Sequence, residues 1–96
     1  ELNGQLVKLA KLKGEFVWYK HQNEDEMFHL IKGELIMEFR DRTEVLKEGE
    51  FIIVPRGVEH KPVAKNEIEV MLFEPKTTLN TGDACDDRKL ENLNWI

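Results

Sequence analysis

Gly49-Glu50-Phe51-Ile52-Ile53-Val54-Pro55-Arg56-Gly57-Val58-Glu59-His60 is the stretch on which the reading of the fold turns. Phe51 to Val54 is apolar, β-branched and strand length, and it is bounded by Glu48-Gly49 on one side and Pro55-Arg56-Gly57 on the other. Proline pre-sets φ for the turn, and Gly57 supplies a positive φ or a close backbone approach. The turn therefore delivers His60 into the next strand, from about Glu59 to Ala64 and interrupted by Pro62.

Outward from this stretch the chain repeats the same grammar. Gln5 to Ala10, Phe16 to His21, Met27 to Ile31, the run through Leu35, Met37 and Phe39, Glu44 to Lys47 and Ile68 to Phe73 are further strand-length runs separated by turn residues. Leu35, Met37 and Phe39 share one face, and Glu34, Ile36, Glu38 and Arg40 the other. Nowhere from 5 to 74 do apolar residues recur at helical spacing over three turns. Roughly eight short strands without intervening helices read as an all-β, antiparallel sandwich or closed barrel. Pro75 ends the β region, so residues 1–75 are read as the barrel. Residues 76–96 are read as a loop and a short helical tail packed on the barrel or on a partner subunit. Asn80-Thr81-Gly82-Asp83 is the loop signal; Asp86 or Asp87 would cap a helix through about Leu93, with Trp95 just beyond.

With 96 residues the chain has room for one hydrophobic core, and a core this small gains from pairing, so a homodimer is expected. Hydrophobic residues at 41% and charged residues at 34% are a globular composition. The net charge of -5 and the absence of a Lys/Arg run argue against nucleic acid as a partner. No apolar stretch approaches the roughly 20 residues needed to span a bilayer, and no signal-peptide pattern opens the chain, so no membrane role is expected. The lone Cys85 gives no disulfide framework, which favours a reducing, cytoplasmic setting. The chain begins at Glu1 with a strand-like pattern close behind, and further N-terminal sequence is expected.

Three side chains suit a metal and could meet across neighbouring strands: His21, Glu26 and His60. Singly each has a plainer reading, a histidine as a hydrogen-bonded or surface residue and Glu26 as the end of the solvated run Glu24-Asp25-Glu26. Their frame lifts them above it. His21, four residues, Glu26, six residues and Gly33 precede the gapless Gly49 to His60 pattern, and together these resemble the two motifs of the cupin family. The resemblance covers roughly 5 to 75 and implies a double-stranded β-helix, or jelly-roll barrel, with a divalent metal held inside. It departs in three places: Gly14 sits one position late for the opening glycine, Tyr19 occupies the place of the family's first His, and Ala64 stands where an Asn often ends the second motif.

Two imidazoles and one carboxylate can form a facial triad that leaves positions open for water or ligand, and iron, manganese, zinc, nickel or copper would all suit it. Tyr19 shares strand parity with His21, and a neutral phenol there is read as a hydrogen-bond donor or outer-sphere neighbour, with direct ligation the lesser alternative. His29 has the opposite parity to Glu26 and is expected to point away. Phe16, Trp18, Met27, Phe28, Met37, Phe39, Phe51 and Phe73 are read as core or dimer contact before ligand pocket. Two functions follow: a metal-dependent protein holding a small polar or sugar-like ligand, related to isomerases, epimerases and oxygenases by the resemblance, or a metal-free module in which Tyr19 marks a decayed site. A sensor domain of a regulator is disfavoured by the lack of a DNA-binding helical pair, and whether the protein is an enzyme stays open.

Overall fold

The computed structural model describes residues 1–77 and the backbone of Asp83–Ala84 and Leu93–Trp95. In chain order the strands are β1 (Gln5–Glu15), β2 (Tyr19–Lys20), β3 (Glu26–Lys32), β4 (Leu35–Phe39), β5 (Thr43–Leu46), β6 (Phe51–Val54), β7 (His60–Pro75), β8 (Asp83–Ala84) and β9 (Leu93–Trp95). All the pairings are antiparallel, and no helix interrupts the described residues, as the alternating pattern required.

The central strand β7 differs from the sequence reading, which divided it at Lys65-Asn66-Glu67 into two. Those polar residues look like a turn, yet they stay extended and exposed while the strand changes direction. The pairing with β1 shows how. Leu12 faces Ile68 and Gly14 faces Ala64, so the single residue Lys13 lies opposite the three residues Lys65–Glu67. A bulge of this kind bends both strands and increases their twist. Pro62 is tolerated inside β7 because the neighbouring chain asks it only to accept: its carbonyl takes the Phe16 N–H at 3.1 Å. Beyond Glu15 the chain leaves the ladder, so the predicted strand from Phe16 to His21 is reduced to Tyr19–Lys20.

The bend divides the sheet into two facing halves. One carries β5, β4 and the first part of β7, with Ile36 opposite Val63 and Phe39 opposite His60. The other carries β6, β3, the second part of β7 and β1, with β9 beside β1. The predicted C-terminal helix falls on residues 86–92, outside the described residues, while Leu93, its expected end, lies in β9 opposite Leu12. The core lies between the halves: Ala10, Leu12, Phe16, Phe28, Leu30, Leu35, Met37, Phe39, Val54, Ala64, Ile68 and Val70 are buried. Gly33 is required at the tight end, because a Cβ there would sit 2.8 Å from Ile68 Cγ2 and its φ is +99°.

The outer face of the second half inverts the usual rule that solvent-facing positions are polar. Ile53, Met27, Phe73 and Val7 stand in one row across four strands, and Phe51, His29, Met71 and Leu9 in the next. Phe51 is 61% and Ile53 56% exposed. Of the predicted core aromatics, Phe16, Phe28 and Phe39 are inside, whereas Phe51 belongs to this outer patch. His29 points outward as expected and packs edge-on against Phe51.

Candidate metal centre

An extended chain from His60 to Glu74 would span roughly 46 Å at 3.3 Å per residue, more than the 31 Å longest dimension of the molecule. The bend at Lys65–Glu67 folds that length back, so both ends of β7 arrive beside Glu26, the first residue of β3. His60 comes from one half of the sheet and Glu74 from the other. His21, just past β2, is brought in by the turn that ends β6: the Gly57 N–H donates to the His21 carbonyl at 2.8 Å. The same turn is tied to the loop before Glu26, since the Arg56 backbone N–H and Nε both donate to Asp25 Oδ1, at 2.8 and 3.2 Å. These bonds to Arg56 hold the Asp25 carboxyl below its ordinary range. The two sequence motifs are thus fastened to each other by backbone and side-chain bonds.

All three predicted residues are buried, and each imidazole approaches Glu26. His21 Nε2 is 3.3 Å from Glu26 Oε1, and His60 Nε2 is 3.8 Å from the same oxygen. The His60 orientation is set from behind: Val58 O accepts from Nδ1 at 2.9 Å, which in the neutral ring leaves the Nε2 lone pair facing inward. Tyr19 lies beside them, opposite His60 in register, with its ring 4.3 Å from that of His60 and 5.5 Å from that of His21. Burial, with the Glu26 and Glu74 carboxyls adding to it, pushes the Tyr19 phenol well above its usual value, so it stays a neutral donor.

Glu74 was not singled out from the sequence. One donor atom each from His21, Glu26 and Glu74 lie within 4.8 Å of one another. Strand parity was the available signal: Val70 and Leu72 face inward, and Glu74 continues the series one step past the assumed strand end at Phe73. Lys8 reaches in from β1 to bind Glu74 Oε1 at 2.6 Å.

The electrostatics separate the two carboxyls. Burial disfavours ionised Glu26, but the neighbouring His21, His60 and Glu74 side chains outweigh it and hold this group down. Burial, reinforced by Glu26, pushes Glu74 up to about 8 against the pull of Lys8. Near neutral pH the pair holds one proton, as two adjacent carboxyls do.

His21 Nε2, His60 Nε2, Glu26 Oε1 and Glu74 Oε2 are all buried and none has a hydrogen-bond partner. Buried polar atoms are seldom left so, because each costs roughly 1–3 kcal/mol. A cation is the species that two imidazole lone pairs and two carboxylate oxygens jointly satisfy. Ligands about 2.1 Å from one ion can be at most about 4.2 Å apart, and the contacts of His21 and His60 with Glu26 fall inside that limit. Of the described residues, His21, Glu26 and Glu74 form the group whose donor atoms all lie within 4.8 Å of one another, a set that fits a divalent metal, and His60 approaches it through Glu26.

The cupin-domain family model matches residues 5–74, the span holding both motifs, the bent strand and this cluster. The chain belongs to the cupin-domain family. Solved structures agree. This cupin is similar to a cupin-2 domain containing protein from Shewanella frigidimarina NCIMB 400, with a TM-score of 0.78 and 46% identity over 79% of this chain and 74% of that one. It is also similar to protein NMB1881 from Neisseria meningitidis, with a TM-score of 0.73 and 28% identity over 79% of each chain. Among curated proteins it is 39% identical over 62 residues to the uncharacterized protein YdbB of Bacillus subtilis (strain 168), covering 64% of this chain and 55% of that protein's length. The cupin thus spans about half of that relative. Cupins commonly bind metals, and the cluster above gives this one the side chains to do so. Among the described residues no helix is long and apolar enough to cross a membrane.

Proposed function

We propose that this cupin binds one divalent metal ion through His21, Glu26 and His60 and presents it to a small polar, sugar-like ligand at the mouth of the barrel. The observation that carries the reading is the convergence of buried, unpartnered lone pairs. A metal-free module with a His21–Glu26 pair and one proton between Glu26 and Glu74 would still leave His60 Nε2 unexplained. The bound ion would supply a positive charge to polarise a ligand oxygen. The chain's own residues do the rest. Val58 orients the His60 imidazole, the Arg56–Asp25 bonds hold the His21–Glu26 loop closed against the turn, and the neutral Tyr19 phenol offers a hydrogen-bond donor beside both imidazoles. A cleft of about 460 Å³ lies along the outer face of the sheet, lined by Met27, Ile53 and Phe73 together with Gln5, Asn23 and Glu24, and is separate from the inward-facing cluster.

The test is calorimetric titration of metal-stripped, untagged protein with zinc, manganese, iron(II), nickel and copper(II) salts. One ion per chain is expected for at least one of them, with affinity reduced about tenfold or more in His60→Ala. Equal binding by His60→Ala would remove His60 from the site, and no binding of any ion would support the metal-free module.

A further inference from the structure

Glu74 lies outside the motifs by which the family resemblance was recognised, and it is among the most deeply buried side chains of the molecule, at 1% exposure. A carboxyl in that position needs an explanation that its salt bridge only half supplies. Lys8 Nζ holds Oε1 at 2.6 Å, Oε2 is buried without a partner, and one oxygen of this carboxyl lies within 4.8 Å of donor atoms of His21 and Glu26. The salt bridge fixes the rotamer and leaves Oε2 as the oxygen free to serve the cluster. Tyr19, in the position where the family pattern has a histidine, presents a buried phenol ring packed beside the His21 and His60 imidazoles. The donor missing there is available from the opposite half of the sheet.

We propose, on the basis of the metal reading above, that Glu74 Oε2 is the fourth protein ligand of the ion and that Lys8 is a positioning residue holding Glu74 for that role. The site is then two imidazole nitrogens and two carboxylate oxygens. Two carboxylates, their shared proton released to solvent as the ion binds, match the charge of a divalent ion inside a barrel where unmatched charge is costly. They also shift preference towards oxygen-favouring ions such as manganese, relative to the nitrogen-rich set that a histidine at position 19 would have made.

The experiment titrates metal-stripped wild type and Glu74→Gln with manganese(II) chloride, then with zinc chloride, and follows solvent-water proton relaxation of the manganese-loaded forms. Glu74→Gln keeps shape and volume, and its circular dichroism and urea midpoint establish that it is folded. The expected result is a 10- to 100-fold loss of manganese affinity, a smaller loss for zinc, and greater relaxation per bound manganese because a water takes the vacated position. Lys8→Met is expected to reproduce part of the manganese loss. Unchanged manganese affinity and relaxation in Glu74→Gln, with wild type binding one ion, would overturn the role of Glu74 and leave the three-residue site standing. A wild type that binds neither ion would overturn both.

Discussion

The two ends of the barrel interior are built from the same strands and are equally dry, yet they are chemically opposite. At the bent end, Leu12, Leu30, Leu35, Ala64 and Ile68 belong to one apolar cluster, with Ile68 against Gly33, all five 5% exposed or less. At the other end His21, Glu26, His60 and Glu74 are just as buried, at 4% or less. The first set is what folding selects, because each apolar side chain removed from water stabilises the barrel. The second opposes folding, since carboxyls and imidazoles lose hydration and recover few hydrogen bonds. Identical burial with opposite chemistry separates what the fold needs from what the site needs, and it shows that stability at one end offsets the cost at the other.

The largest effect that would break this comparison is at the apolar end. Leu30→Ala should lower the unfolding free energy by about 2–5 kcal/mol, read from urea denaturation, while metal affinity measured on the folded fraction stays as in wild type. A parallel fall in affinity would mean that the two ends are not separable.

A smaller effect sharpens the comparison at the polar end. Folded Glu74 is raised to about 8 from an ordinary value of 4.5, so the stability that its proton contributes is complete below about 4.5 and is lost as pH rises to about 8. Glu26 is shifted the other way; its contribution is present above 4.5 and is lost only as pH falls towards 2, outside that window. Metal-free wild type should therefore lose stability between pH 5 and 8, with a slope from this group of at most about 1.4 kcal/mol per pH unit. Glu74→Gln should flatten the profile in urea denaturation at successive pH values. Equal slopes in the two proteins would contradict the assignment.

Much of the apolar end was legible in the sequence because strand alternation is a local signal: Leu35, Met37 and Phe39 declare one face within five residues. His21, Glu26 and His60 were legible through spacing, since glycine and proline at fixed offsets mark the turns that deliver them. Glu74 escaped because its role depends on a long-range event, the bulge at Lys65–Glu67 that returns the end of β7 to its beginning, and three exposed polar residues look the same in a turn and in a bent strand. Lys8 escaped for a related reason: a lysine reads as solvent-facing until a buried carboxylate is known to lie within its reach. The outward Phe51 and Ile53 were ambiguous because an apolar run carries no alternation to say which residues face in.

The convergence of His21, Glu26 and His60 on one ion is tested most directly by anomalous diffraction at the zinc edge from crystals of zinc-loaded protein. The account predicts one strong peak within about 2.0–2.2 Å of His21 Nε2, His60 Nε2 and a Glu26 oxygen, with Glu74 Oε2 facing it. A barrel with no peak in that position, or a peak bound only by surface carboxylates, would contradict it.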